Sequence, residues 1–134
     1  MSLDAELIAQ FNSLCSNQTF RDLLVGIPAP PCIDYWFRPL ETNQHIVIPS
    51  NYVEGRTIVP LFYGCDSYAF YCLEPSTSQF HEIDPESPWP PVFTADRWQD
   101  FEDHYFARIT EDKEPEFVQQ VSLAFGRSPR RDGA

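Results

Sequence analysis

Cys72, His81 and Asp84 come nearest to a catalytic set in this chain, a thiol, a base and a carboxylate within one short stretch. An imidazole beside a thiol can draw off its proton, and a carboxylate can orient the imidazole. His81 alternates with Phe80 and Glu82 in an extended run and could pair with a carboxylate across a sheet. Little reinforces the set: His45 and His104 are scattered, and no serine stands in a Gly-x-Ser-x-Gly elbow. Glu82, Asp84 and Glu86 alternate as oxygen donors for a hard cation, but the glycine-bearing loop of an EF-hand is absent. There is no Cys-x-x-Cys pair for zinc, and the single glycines Gly55 and Gly64 do not form a phosphate-cradling loop. Twenty acids always permit some carboxylate pair, so a hydrolase built on one is a weak inference. The expectation is a protein without catalytic residues, cofactor or metal.

Charge points elsewhere. The 134 residues carry a net charge of −11, which repels nucleic-acid phosphates and anionic membranes and favours a basic protein partner. Residues 66–116 hold thirteen acids against Arg97, Arg108 and Lys113, whereas residues 1–65 hold six against three arginines. The end, 127–134, reverses sign with Arg127, Arg130 and Arg131 against one aspartate and reads as a flexible basic tail. The expected contact residues are Asp66, Glu82, Asp84, Glu86, Trp89, Asp96, Asp100 and Asp103. Carboxylates there would steer association, and an aromatic ring would anchor it. Four irregularly spaced cysteines, a start without a signal-peptide pattern and no long apolar run imply free thiols and a cytoplasmic protein.

The elements that would hold these residues can be read from periodicity. Leu7, Ile8, Phe11, Leu14 and Cys15 share one helical face over 3–15, and Thr19–Val25 continues as a short helix stopped by Gly26. Prolines 28, 30 and 31 force the 27–39 stretch into a loop or extended form. A short strand is expected at His45–Ile48. Thr57–Tyr63, Tyr68–Leu73 and Gln79–Ile83 follow as an antiparallel meander, turning at 64–67 and 75–78. Pro60 removes a ladder donor and implies an edge or a bulge, and the doubly apolar second strand implies a central position. After the proline-rich 84–91 loop, Thr94 is placed to cap a helix whose buried stripe is Trp98, Phe101, Tyr105 and Ile109, with Asp96, Asp100 and Asp103 opposite. Pro115 and Gly126 bracket a last helix. Helices at both ends of a central antiparallel sheet make an α+β single domain over residues 1–126.

The order Ile58-Val-Pro-Leu-Phe-Tyr-Gly-Cys-Asp, Tyr68-Ala-Phe-Tyr-Cys-Leu-Glu, Phe80-His-Glu-Ile-Asp84 resembles the sheet of the SUKH superfamily, the SMI1/KNR4-like proteins, and Phe93–Ile109 is similar to the helix that family places next. The resemblance spans roughly residues 45–110. It implies a non-catalytic SMI1/KNR4-like fold. Many bacterial members are immunity proteins that bind and neutralise a cognate polymorphic toxin, often a nuclease, so the implied partner is a toxin with a basic cleft. A regulatory or scaffold module without a toxin is the alternative, and a small hydrolase using His81 stands third.

Overall fold

The computed structural model describes residues 5–40, 52–64 and 69–127. The expected strand at His45–Ile48, Asp66 in the 64–67 turn, and the tail from Ser128 lie outside the described residues. In chain order the elements are α1 (Ala5–Leu14), α2 (Gln18–Leu24), β1 (Arg38–Pro39), β2 (Val59–Gly64), β3 (Ala69–Glu74), β4 (Gln79–Ile83), β5 (Phe93–Ala95), α3 (Trp98–Thr110) and α4 (Pro115–Ala124).

The strands form one antiparallel sheet in the order β1-β2-β3-β4-β5, with β3 at its centre. Proline 60 has the effect its missing N–H implies: the β2–β3 register slips between Pro60 and Phe62, leaving Leu61 as an extra residue. The slip lets the consecutive Leu61 and Phe62 both join the core on the helical side. Among the described residues both outermost strands are very short, which limits the unpaired backbone they present.

Alternation then sorts side chains between two faces. Tyr71, Leu73 and Phe80 face the helices, where Phe11, Phe20, Trp98, Phe101, Tyr105 and Phe125 complete a core contributed by every helix. Ring pairs here are mostly edge-on, as for Phe11 with Trp98 at 5.2 Å and Phe20 with Phe37 at 5.0 Å. The opposite face holds Cys72 and Ile83, covered by Val53 and Ile58 and flanked by Phe70 and Trp89. The central strand is therefore buried on both sides.

The start of α3 departs from expectation. Thr94 lies in β5, paired opposite His81, and Arg97 takes the cap position of α3. The short strand was hidden because three residues are too few for a period to show. Helix α4 begins at Pro115 and ends as expected beside Gly126, whose φ of +71° suits a residue without Cβ.

Candidate functional site

Asp96 now precedes α3 instead of riding on it. It is exposed and accepts a hydrogen bond from Gln79 Nε2 at 2.8 Å. Asp100, in the first turn, is bonded by Arg97 at 3.2 and 2.9 Å, and that hydrogen bond holds its carboxyl below the ordinary range. Asp103 accepts from Gln99 Nε2 at 3.0 Å and pairs with Arg127. The three aspartates lie just before and within the first half of α3, and two of them already hold an arginine. Beyond β4, Asp84 Oδ1 accepts from the backbone N–H of Glu86 at 2.9 Å, leaving Glu86 exposed at the turn.

Glu82 does not belong to this surface. Strand alternation turns it toward the helices, where it is only 2% exposed, accepts a hydrogen bond from the Tyr105 hydroxyl and lies 3.9 Å from Arg108. A carboxylate so enclosed cannot meet a partner, so its expected contact role is corrected here. Tyr105 is correspondingly hard to ionise: burial raises its phenol strongly, and the Glu82 charge adds to the effect. His104 stacks on Phe93 at 3.8 Å, and burial, then the Arg108 charge, lower its pKa.

Trp89 is half-buried and acts as a cover. Its ring lies 4.9 Å from the Arg56 guanidinium and 5.7 Å from the His81 ring. Beneath it, Arg56 Nη1 donates to both Glu74 oxygens at 3.2 and 3.1 Å, His81 Nε2 bonds Glu74 Oε1 at 2.9 Å, and His81 Nδ1 meets Thr94 Oγ1 at 2.8 Å. Burial alone would raise the Glu74 carboxyl, but the bonds from His81 and Arg56 outweigh it and lower its pKa. An ionised Glu74 only accepts, so the proton in this pair sits on His81 Nε2.

That geometry bears on the thiol arrangement. Cys72 is the cross-strand partner of His81, yet both ring nitrogens bond to Glu74 and Thr94, and Asp84 is engaged by Glu86. Full burial drives the Cys72 thiol well above its usual pKa, opposite to what a thiolate nucleophile needs. The carboxylate across the sheet that His81 was expected to find is Glu74. Cys15, Cys32 and Cys72 carry free thiols. Among the described residues, no group of three histidine, cysteine or acidic side chains is placed to hold a metal ion, and no helix is long and apolar enough to cross a membrane.

Glu102 was missed from sequence. It sits four residues after Trp98 and three before Tyr105, beside the buried stripe, and that spacing was the available signal. It is 4% exposed and accepts from Trp98 Nε1 at 2.7 Å and from Asn17 Nδ2 at 3.1 Å. Burial raises its carboxyl, the two hydrogen bonds only partly offsetting that. Asn17 also donates to the Phe125 carbonyl at 2.6 Å, while its Oδ1 accepts from Thr19 N at 3.1 Å and caps α2.

No family model matches the chain, and no curated protein or solved structure matches it either.

Proposed function

We propose that this protein is a non-catalytic acidic binding domain that docks a basic protein, and that its role is that of an immunity protein neutralising a cognate bacterial toxin. The carrying observation is the charge skew of a chain of net charge −11, with thirteen acids against three bases over residues 66–116, Asp96, Asp100 and Asp103 among them at the start of α3. Such a skew favours a basic surface through long-range steering, with phosphate-like charge able to occupy a cleft meant for nucleic acid. The toxin-neutralising role draws on the SMI1/KNR4-like resemblance of the β2–β4 meander. The saturated hydrogen bonding of His81 and the raised Cys72 thiol support binding over chemistry.

The test is affinity capture on the full chain, wild type against a variant carrying Asp96→Lys, Asp100→Lys and Asp103→Lys. The expected result is a basic protein retained by the wild type at low salt, lost from the variant and weakened at high salt. Equal retention by both would remove these aspartates from the interface. A retained partner without toxicity when expressed alone would move the role to a regulatory module.

A further inference from the structure

Glu74, His81 and Thr94 form a hydrogen-bonded chain across three neighbouring strands. His81 and Thr94 are register partners on β4 and β5, and Glu74 comes from β3. We propose that Thr94 is a covalent modification site, whose hydroxyl, activated by His81, takes an acyl group from a neutral activated ester or thioester. The inference goes beyond docking and does not rest on it. One transfer uses up the acceptor, so the protein is modified and does not turn over.

Three observations carry this chemistry. First, the proton order is set from the buried end. The ionised Glu74 carboxylate accepts from His81 Nε2 at 2.9 Å, which in the neutral imidazole leaves Nδ1 as an acceptor. Thr94 Oγ1, 2.8 Å from Nδ1, is then the donor, and its proton already points at a base. A hydroxyl beside a base that a third group orients is the arrangement of an activated nucleophile. Second, base and orienting group are sheltered, at 2% and 3% exposure, while Thr94 is exposed on the outermost described strand, where a donor can reach it. Third, the surroundings favour an uncharged donor. The net charge of −11, with Asp96 just beyond Thr94, repels phosphoryl donors, and the Trp89 ring 5.7 Å from the imidazole offers apolar surface. In the step, Oγ1 bonds to the donor's carbonyl carbon and its proton passes to Nδ1. The bond from that carbon to the leaving group breaks, its electron pair departing on a phenolate or thiolate. His81 then returns the proton to the leaving group, and the ester stays on Thr94.

The probe is p-nitrophenyl acetate, added to the folded full chain, with the acetylation rate of each site read by peptide mass mapping. Thr94 is expected to be acetylated about a hundredfold faster than Thr57, which is also exposed, a factor on the scale of general-base assistance. Unfolding in urea should erase the difference. Thr94→Ser is expected to keep the fast site and Thr94→Val to abolish it, both at an exposed position that spares the core. His81→Gln should bring Thr94 down to the rate of Thr57. Glu74→Gln can offer an amide N–H to Nε2, which moves the ring proton to Nδ1 and makes Thr94 an acceptor. The His81 ring nitrogen-15 shifts are expected to report that exchange as the Thr94 rate falls, a signature that loose packing alone would not produce. Equal rates at Thr94 and Thr57, or a Thr94 rate indifferent to a folded His81→Gln, overturn the proposal. Should His81→Gln fail to fold, the comparison of the two threonines and the ring tautomer decide it. Labelling is read without any partner, so an inert Thr94 leaves the docking reading standing, and a labelled Thr94 survives the failure of partner capture.

Discussion

Glu74 and Glu102 are buried to nearly the same degree, at 3% and 4% exposure, and are held in opposite ways. On the outer sheet face Glu74 meets a guanidinium and an imidazole, and its carboxyl titrates below the ordinary value of 4.5. On the helical side Glu102 meets an indole and an amide, and burial raises its carboxyl above the same value. Burial alone does not decide the state of an acid; the charge of its hydrogen-bond donors does. One glutamate completes the internal electrostatics of the fold. The other is held by neutral donors, and among the described residues only the Arg127 cation acts on it, from beyond hydrogen-bond contact.

The largest effect expected is from Glu74→Ala, which strands Arg56 and His81 and should cost about 3 kcal/mol, the low end for breaking a buried ion pair because Arg56 is partly exposed. A loss below about 1 kcal/mol in urea denaturation would show that water already screens the pair. Trp89→Ala should cost about 2 kcal/mol by removing the ring that covers Arg56 and His81. If Arg56 no longer depends on that cover, the same urea midpoint will be unchanged. Glu102→Gln should cost only about 1 kcal/mol, since its one amide NH2 opposes the donors Trp98 and Asn17 while its carbonyl still accepts.

Acid titration of stability separates the two carboxylates by sign. With its pKa lowered in the fold, Glu74 contributes stability that is present above pH 4.5 and lost as pH falls through its folded value. With its pKa raised, Glu102 contributes stability that is full below 4.5 and lost as pH rises through its folded value. Glu74→Gln should therefore flatten the acid limb of the stability profile. The cost of Glu102→Gln should shrink as pH climbs above 4.5, the direction in which its carboxyl is shifted. Parallel profiles for the two variants would dissolve the contrast. The smallest effect belongs to Asp100→Asn, whose exposed pairing with Arg97 should leave the unfolding midpoint in place while partner capture weakens.

Much of the fold was legible because its signals are local. Pro60 announced the β2 bulge, the Trp98-Phe101-Tyr105-Ile109 spacing announced the buried side of α3, and Pro115 with Gly126 bounded α4. What stayed hidden depends on distant partners. Glu82 reads as a polar residue in an alternating strand, and only the packing of α3 shows that both faces of β4 are covered. Thr94 reads as a cap because Ser, Thr and Asp before a helical stripe usually are; its hydroxyl instead meets His81 across the sheet. Glu102 needed Asn17, far away in the chain, to become visible. The acidic skew was legible in composition, but the arginine pairs within it were not.

Asn17 carries a further consequence, for the order in which the protein assembles. Its bond to the Phe125 carbonyl spans 108 positions, whereas the β3–β4 hairpin pairs residues only five to thirteen apart. Contacts of such different reach are not made together, because the long closure must wait for the segments between to condense. The clasp between α2 and the end of α4 is therefore expected to close after the folding barrier, as a latch on the way out. Asn17→Ala is expected to speed unfolding and leave the folding rate nearly unchanged, which a chevron plot reads directly. A slowed folding arm would place the closure of the chain before the barrier.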